Sequence, residues 1–561
     1  MSRSEPRTSH AGAEMWSRSF ADGRARPRPR SGVRGRLLLG AAMAGLALSA
    51  RGPAWSASLS PANDAGALAA SACNGLMGFK LEDVRVSSAA VVEPSAAWTP
   101  DPNAPGARPI AVGAPFCRVQ GVIGREIGFE LWLPEPTRWN GRLLGAGVGG
   151  DAGAFNFSDL PRGVAQGYAA ATTDTGHKAA DRTWMLGPPE RLTNFELLAH
   201  HRLAVTAKLL LARYYGRNAD HAYFIGCSGG GRQALKELQR FPADYDGVIA
   251  GAPGPDTPEM TTRRMWELIQ REQHPNLLSP ADWALVVEAA VRACDELDGV
   301  RDGVIADPRM CRFDPASLAC PPGAAPGARC LTPDQLALVK TIYAPLRGDD
   351  GRKLDDGVLP GVLIDSGHSR LAPATFGQAI RKQADWDGEG FDVSRDLAAI
   401  DRVMPELRAD DADISAFAKR GGKVIVYEGW NDPAVAARMV IAYYNQVVAK
   451  LGPLEAGRMI RLFMAPGVEH CVGGPGPDQF GGAGAAAPSL DTGHDLLSAL
   501  DAWVREARAP ERVVASKLSH GEVVETRPLC AYPAAAHYDG HGDTNSAASF
   551  SCRAEGISPE P

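Results

Sequence analysis

A serine flanked by glycines stands between an apolar run and a helical run in residues 223–235, "YFIGCSGGGRQAL". Its centre, residues 226–230, follows the pattern G-x-S-x-G. The residues before it are apolar and typical of a strand, whereas those after it have the periodicity of a helix. A serine in so sharp a turn needs neighbours without side chains, because the backbone is strained and closely packed. The stretch therefore predicts a nucleophile elbow that exposes Ser228.

Strands alternate with helices on both sides of this elbow, which predicts a parallel sheet covered on both faces. The run at 127–135 alternates apolar and other residues, as in a half-buried strand, and a helix is predicted over 195–214. The alternation lapses in 256–419 and resumes at "KVIVYEG". We therefore predict an α/β-hydrolase fold, a mostly parallel sheet with a large inserted lid domain. The predicted parts are a targeting segment 1–56, a catalytic domain 57–255 and 420–561, and a lid 256–419.

The beginning of the sequence has the features of a secretory signal peptide. A basic, proline-rich stretch, "RARPRPRSGVRGR", precedes the short apolar run 37–50 and a series of small residues. That run is too short to span a bilayer comfortably, so no stable membrane span is expected. Because the leader is long, Met15 and Met43 are alternative starts. All ten cysteines follow it, and an even number in an exported chain indicates disulfides. We expect a secreted or periplasmic protein, and the net charge of −6 gives no reason to expect a nucleic-acid partner.

A base and an orienting acid follow the serine in the chain order of this fold, which is serine, acid, histidine. Asp432 lies just past a predicted strand in "VIVYEGWNDPAV", and His470 lies in the loop after the next strand, in "LFMAPGVEHCVGG". Consecutive parallel strands end at the same edge of a sheet. Ser228, His470 and Asp432 are therefore predicted as nucleophile, base and orienting acid.

Cysteines stand directly beside two of these residues, Cys227 before the serine and Cys471 after the histidine. If Ser228 and His470 meet, the two sulfurs lie within disulfide reach. A Cys227–Cys471 bridge would hold nucleophile and base together. The alternative is that Cys227 is itself the nucleophile, in which case a thiol reductant would activate the enzyme rather than impair it.

The arrangement resembles the tannase/feruloyl esterase family of α/β-hydrolases, which also includes the hydrolase of mono(2-hydroxyethyl) terephthalate. The resemblance covers nearly all of residues 73–552 and is carried by "WNGRLLGAGVGG", "TDTGH", "GCSGGGRQAL", "YDGVIAGAP", "CDELDGVRDGVI" and "APGVEHCVGGPGP". It implies a carboxylic ester hydrolase that acts on small esters of aromatic acids, such as gallate, ferulate or terephthalate monoesters. A lipase or polyester-type esterase and a non-catalytic binding protein on the same scaffold stay open as alternatives, because a fold does not fix a function.

Two further sets of residues are predicted with the help of this resemblance. The oxyanion hole needs two backbone N–H groups, one from Gly229 and one from Gly150 or Gly149 in the "GVGG" turn. The acidic, glycine-rich stretch 294–305 is typical of a calcium loop. The resemblance implies structural Ca2+ in the lid, held by the carboxylates of Asp295, Asp298 and Asp302 and the carbonyls of Val300 and Val304. It also implies the disulfides Cys73–Cys117, Cys294–Cys311, Cys320–Cys330 and Cys530–Cys552.

The predicted lid supplies side chains that are candidates for contact with an aromatic acid. Its candidate aromatic residues are Trp266, Tyr343, Phe376, Trp386 and Phe391. Its candidate partners for a substrate carboxylate are Arg263, Arg264, Arg370 and Arg381. For each of them, packing in the core or solvation at the surface is the more common role. The lid therefore leaves the choice among gallate, ferulate and terephthalate esters open, and nothing predicts the oligomeric state.

Overall fold

Short apolar runs that end in glycine or a polar residue form the centre of a nine-stranded sheet. The computed structural model describes residues 70–102, 108–323, 328–364 and 370–554. The predicted targeting segment, 1–56, lies outside these residues. The strands are β1 Val84–Val92, β2 Ser95–Trp98, β3 Ile110–Val112, β4 Phe116–Ile123, β5 Ile127–Pro134, β6 Arg142–Ala146, β7 Ala169–Thr173, β8 His221–Cys227, β9 Gly247–Gly251, β10 Lys423–Gly429, β11 Ile460–Ala465, β12 Arg512–Ser519, β13 Glu522–Cys530, β14 Ala535–Tyr538 and β15 Phe550–Arg553.

The main sheet has the order β1-β4-β5-β7-β6-β8-β9-β10-β11. Strands β6 to β11 pair in parallel, whereas β1, β4 and β5 form an antiparallel edge. In β8, Phe224 packs into one buried cluster, while its neighbours Tyr223 and Ile225 pack into another. Successive side chains of a strand point to opposite faces, so both faces of this sheet are covered. The predicted fold class, an α/β-hydrolase fold with a mostly parallel sheet, is confirmed.

The helices cover the sheet and fill the long insertion between β9 and β10. They are α1 Asp159–Ala165, α2 Pro189–Thr193, α3 Ala199–Tyr215, α4 Gly229–Arg240, α5 Thr257–Gln273, α6 Pro280–Cys294, α7 Pro333–Tyr343, α8 Leu371–Pro373, α9 Val393–Val403, α10 Ser415–Lys419, α11 Ala437–Leu451, α12 Pro453–Met459 and α13 Leu496–Glu506. Residues 70–74 are also helical. Single π-helical segments at Asn194–Leu198 and Ala374–Ile380 adjoin α3 and α8. Strands β9 and β10 are parallel neighbours in the sheet, so the long stretch between them leaves the sheet after β9 and returns to the adjacent position at β10.

The strand predicted as half-buried, β5, is buried along its whole length, so this prediction is wrong. It lies between β4 and β7, and both of its faces are covered. The polar residue of its second face, Glu130, is fully buried and pairs with Arg118 at 2.5 Å. The indole Nε1–H of Trp132 also donates to this carboxylate, at 3.0 Å. Alternation along the strand thus reflects a buried polar network rather than contact with water.

All ten cysteines form disulfides, in the five pairs that were predicted. Four of them close short local loops, with sequence separations of 44, 17, 10 and 22 residues. The fifth, Cys227–Cys471, joins residues 244 positions apart. Within the described residues, no helix is long and apolar enough to cross a membrane.

Candidate active site

The strand-to-helix turn after β8 forces an unusual backbone on Ser228. Its φ of 60° and ψ of −125° lie in a region that residues with a side chain rarely adopt. Glycines make this turn possible: a Cβ at Gly226 would stand 2.4 Å from Gly230 O, and one at Gly231 would stand 2.2 Å from Gly251 O. The Ser228 N–H donates to Gly251 O at 3.0 Å, which ties the turn to β9. The predicted elbow is therefore present.

Asp432 and His470 meet at the ends of β10 and β11. One carboxylate oxygen of Asp432 lies 2.7 Å from His470 Nδ1. The other accepts the backbone N–H groups of Ala434 and Val435 at 2.6 and 2.9 Å. The Asp432 side chain is fully buried, while that of His470 is 30% exposed. The aspartate is thus fixed by its own loop and holds the imidazole, whose other nitrogen is left for a reacting partner.

The disulfide between Cys227 and Cys471 brings the serine and the histidine together. Its Cα atoms are 6.0 Å apart, and each cysteine directly adjoins one of the two residues. Among the hydrogen bonds of the described residues, none joins Ser228 Oγ to His470; such bonds are often long before a substrate binds. Since Cys227 is half of a disulfide, it is not a free thiol. The alternative in which Cys227 is the nucleophile is therefore wrong.

Backbone N–H groups near Ser228 belong to two segments, the start of α4 and the turn that follows β6. Gly229 is the first residue of α4, where N–H groups have no partner within the helix. A Cβ at Gly149 would lie 3.9 Å from the Ser228 Cβ, so this turn faces the serine. Val148 N–H is taken by the Gln233 side chain at 2.9 Å, but within the described residues the N–H groups of Gly149 and Gly150 have no acceptor. Both predicted candidates for the second oxyanion donor thus stay available.

A second carboxyl group, which the sequence reasoning missed, lies next to Asp432. Glu428 is fully buried at the end of β10, and its Oε1 accepts the Gly429 N–H at 3.1 Å. Burial, and then the nearby charge of Asp432, raise the pKa of Glu428 well above its usual value of 4.5. Burial therefore favours the neutral acid over the carboxylate in the folded chain. A charged residue inside the apolar run "KVIVYEG" was the signal available in the sequence.

The acidic loop of the lid contains the predicted calcium ligands, but its carboxylates are engaged within the protein. Asp295 accepts the N–H groups of Asp302 and Gly303, at 3.1 and 3.0 Å. Arg527 donates to Asp302 at 2.6 Å, and Asp298 accepts the Val300 N–H at 3.1 Å. No group of three or more His, Cys, Asp or Glu side chains in the described part of the chain is arranged to hold a metal ion. The predicted oxygen ligands therefore lie in one loop, but in the described residues their side chains are not arranged as a metal site.

Burial leaves the negative charge of this loop only partly compensated. It raises the pKa of Asp302 to about 6, an effect that Arg527 opposes and the charge of Asp298 reinforces. Burial also raises the pKa of Asp298. Val300 and Val304, whose carbonyls complete the predicted ligand set, are themselves buried. In donor chemistry, the loop fits a hard divalent cation that prefers oxygen ligands.

All five candidate aromatic residues of the lid pack with other protein groups. Phe376 and Phe391 meet edge to face with ring centroids 5.0 Å apart, Trp386 lies beside both, and the Tyr343 hydroxyl donates to Val362 O. Arg263 lies over the Trp266 ring, 5.0 Å from its centroid. These five residues are accounted for by packing inside the lid.

The four lid arginines pair with carboxylates of the protein. Arg263 and Arg264 both pair with Glu267, and Arg381 pairs with Asp396. Arg370 lies 3.3 Å from Asp151, which directly follows the glycine turn beside Ser228. Arg264 and Arg370 line a cavity of about 750 Å³ together with Asp151, Trp184 and Trp283. This cavity lies between the lid and the predicted oxyanion turn.

Comparison with known proteins agrees with this geometry. A profile of the family described as "Tannase and feruloyl esterase" matches residues 111–362 and 365–553. An uncharacterized esterase of Xanthomonas campestris pv. campestris is 34% identical over 87% of this chain and 92% of its own length. A probable feruloyl esterase B-2 of Aspergillus fumigatus is 30% identical over 80% and 88%.

Solved structures show the same similarity in three dimensions. The crystal structure of feruloyl esterase B from Aspergillus oryzae superimposes with a TM-score of 0.81 at 27% identity, covering 86% of this chain and all of the other. A second esterase from Aspergillus oryzae gives 0.79 at 29% identity, with the same coverage. The serine elbow, the Asp–His pair and the family match together lead to one conclusion: this chain belongs to the tannase and feruloyl esterase family and is a carboxylic ester hydrolase.

Proposed function

We propose that the enzyme hydrolyses esters through a covalent acyl-enzyme formed on Ser228. His470 takes the hydroxyl proton as Ser228 Oγ attacks the ester carbonyl carbon, and Asp432 stabilises the imidazolium through Nδ1–H. The tetrahedral oxyanion accepts hydrogen bonds from the N–H group of Gly229 and from that of Gly149 or Gly150. When the C–O bond breaks, His470 returns the proton to the leaving alcohol. Water, deprotonated by His470, then attacks the acyl carbon and releases the carboxylic acid and the serine.

One observation carries this proposal. His470 lies 2.7 Å from Asp432, and the residue after His470 is joined by a disulfide to the residue before Ser228. Acyl-transfer chemistry requires that nucleophile, base and acid be held within a few tenths of an ångström of their working positions. A cross-link between the residues adjoining nucleophile and base supplies such a constraint. A scaffold used only for binding would have no need of it.

Esters of aromatic acids, namely gallates, ferulates and terephthalate monoesters, are the proposed small-molecule substrates. The names of the relatives support this class, since they include feruloyl esterases. The cavity beside Asp151 has Trp184 and Trp283 in its lining and is of the size that organic ligands occupy. Export is also proposed, because five disulfides are typical of proteins that fold in an oxidising compartment.

A structural Ca2+ in the acidic loop is a further part of the proposal. Asp295, Asp298 and Asp302 and the carbonyls of Val300 and Val304 would hold it, since together they supply the hard oxygen ligands that this ion prefers. When bound, the ion would neutralise the carboxylates that burial leaves partly uncompensated. The reaction at Ser228 does not use it.

A hydrolysis panel tests the proposal. Purified enzyme and its Ser228→Ala variant would be given methyl gallate, methyl ferulate, a terephthalate monoester and, as a comparison, a long-chain aliphatic ester. We expect kcat/KM to be highest for one of the aromatic esters, and the variant to lose about 10³-fold or more while keeping its melting temperature. Variant activity within tenfold of the parent would refute the nucleophile, and a preference for the aliphatic ester would refute the substrate class.

A further inference from the structure

The turn that carries the second oxyanion donor is too strained to hold its shape alone. Gly150, Ala152 and Gly153 all have positive φ angles, of 59°, 58° and 82°. Glycine tolerates such angles, but Ala152 does not adopt them without support from its surroundings. The turn's own bond is a single one, from Ala152 N–H to Gly149 O at 3.1 Å. Its conformation must therefore be fixed by the residues packed around it.

A buried histidine from the loop after β7 forms a hydrogen bond with the backbone of this turn. Nε2 of His177 lies 2.7 Å from the carbonyl oxygen of Asp151, between Gly150 and Ala152. A carbonyl only accepts, so Nε2 carries the proton and donates it. Because Nδ1 is then unprotonated, it is an acceptor, and the Thr175 hydroxyl lies 3.4 Å from it. The hydrogen bond thus defines both the tautomer and the position of the Asp151 peptide.

The imidazole is held in place by a stacking contact on one face and by the anchored loop that carries it. Its ring stacks on the Trp184 indole, with centroids 3.8 Å apart and planes 10° apart, and only 3% of the residue is exposed. The loop that carries it is anchored through Asp174, whose carboxylate accepts the N–H groups of Gly128 and Gly176 at 2.8 and 2.9 Å. Burial lowers the pKa of His177 to about 4, so the ring is neutral at pH 7.

Fixing the Asp151 carbonyl also fixes the N–H groups that precede it. The N–H groups of Gly150 and Gly149 belong to the second and third peptide units before the one that contains this carbonyl, and rotation of one peptide in a tight turn moves its neighbours. Oxyanion donors act because they point at the developing charge before it forms, and one donor is typically worth 10²–10³-fold in kcat. A small tilt of the turn would forfeit part of that effect without changing how the substrate binds in its ground state.

We propose that His177 is a positioning residue for the oxyanion hole: by donating Nε2–H to the Asp151 carbonyl, it holds the Gly149–Gly150 turn in its catalytic orientation. This inference rests on the proposed acyl-enzyme mechanism and adds a residue to it. His177 does not touch the reacting atoms. The inference holds for any ester the enzyme accepts.

Three substitutions at this position separate the hydrogen bond from the packing. His177→Gln places an amide N–H near the position of Nε2, whereas the shorter His177→Asn does not reach it. His177→Phe keeps a flat ring against Trp184 but has no donor. We expect kcat to fall by about 10–100-fold in the Asn and Phe variants, with KM within threefold of the parent, and to be largely restored in the Gln variant. Melting temperatures identify any variant that fails to fold.

A transition-state analogue tests the oxyanion hole specifically. A general loosening of the fold would weaken the binding of this analogue and of the product acid alike. A phenylboronic acid adds to the serine as a tetrahedral adduct whose oxygen occupies the oxyanion hole, while the product acid binds only in the ground state. We expect the inhibition constant of the boronic acid to rise in parallel with the loss of kcat, and that of the product acid to stay within threefold. A folded Phe or Asn variant with kcat within twofold of the parent would overturn the inference, as would a Gln variant as impaired as the Asn variant. Failure of the mechanism itself is seen separately, as activity that survives Ser228→Ala.

Discussion

At the scale of single residues, the site combines the strained backbone of Ser228 with a histidine that is oriented by a buried aspartate. A residue in the conformation of Ser228 costs about 1–3 kcal/mol, which its surroundings must offset. The hydrogen bond to Gly251 O and the cross-link at Cys227 hold it there. The serine, the aspartate and the histidine were all identified in the sequence, because glycine spacing and strand ends are local signals. Glu428 and His177 were not, since their roles depend on which neighbours the fold brings to them.

The raised pKa of Glu428 leads to a prediction about pH and stability. The pKa of this carboxyl is raised by burial and by Asp432, so the unfolded chain loses the proton at lower pH than the native one. Between about pH 4.5 and the raised pKa, the native state therefore binds more protons, and stability falls as pH rises, by up to about 1.4 kcal/mol per pH unit. Glu428→Gln removes this titration while keeping a neutral side chain of the same size.

We expect the Glu428→Gln variant to match the parent most closely near pH 4 and to become the more stable of the two toward pH 7. Urea unfolding at several pH values measures the difference. Esterase activity at pH 7 should stay within about threefold, because the charge beside Asp432 is unchanged. A variant that loses stability relative to the parent as pH rises would show that Glu428 is ionised in the native enzyme.

At the scale of elements, the Cys227–Cys471 bridge connects the elbow between β8 and α4 to the loop after β11. We expect the double variant Cys227→Ala with Cys471→Ala to lose activity sharply, since the bridge joins the residue before Ser228 to the residue after His470. The matched control is Cys320→Ala with Cys330→Ala, which opens a loop of only 10 residues in the lid. Both pairs are measured for kcat and melting temperature. Equal kcat in the two double variants would show that the bridge has no part in positioning the triad.

The acidic loop contacts the loop that carries His470 directly and the loop that carries Asp432 through Gly361. A Cβ at Gly467, in the histidine loop, would stand 2.9 Å from Val304 Cγ2. Asn431, next to Asp432, donates through Nδ2 to Gly361 O at 3.0 Å, and a Cβ at Gly361 would stand 3.1 Å from Ile305 Cδ1. The loop is distant from these residues in sequence, yet the folded chain brings it against them. Disorder in the loop would therefore reach the active site.

We expect one Ca2+ per chain, and a fall of several degrees in melting temperature when a chelator removes it. Added Ca2+ should restore the melting temperature, whereas Mg2+ should not, because it demands a smaller and stricter octahedral site. In Asp298→Asn, which removes one charge, the half-saturating Ca2+ concentration should rise. Elemental analysis of protein purified without chelator that finds no calcium would contradict the prediction.

Secondary structure could be predicted best where the pattern is local. The strands β6 to β11 read as short apolar runs because both of their faces are buried. The burial of β5 was misjudged because Glu130 is satisfied by Arg118, a residue of the neighbouring strand. In the lid, the helices were missed although α6 and α7 start with capping boxes at Ser279 and Thr332. The capping boxes can be recognised in the sequence, whereas the pairing of Glu130 with Arg118 depends on which strand lies next to β5.

At the scale of the whole molecule, four disulfides close local loops and one links distant parts of a chain whose cysteines are all paired. The entropy model gives roughly 3–5 kcal/mol for each of these loops, an amount comparable to the entire stability of many domains. The described domain should therefore depend on oxidation for its folding.

We expect the chain to fold into active enzyme only where disulfides can form. Produced in a reducing cytoplasm, it should accumulate as aggregated or inactive protein, whereas export of the same chain to an oxidising compartment should give soluble esterase. In the exported protein, denaturation without reductant should expose no thiol to iodoacetamide, and reduction should expose ten. Dithiothreitol should lower the melting temperature and the activity together. Full activity after complete reduction would contradict this prediction, because neither the fold nor the alignment of Ser228 with His470 would then depend on the cross-links.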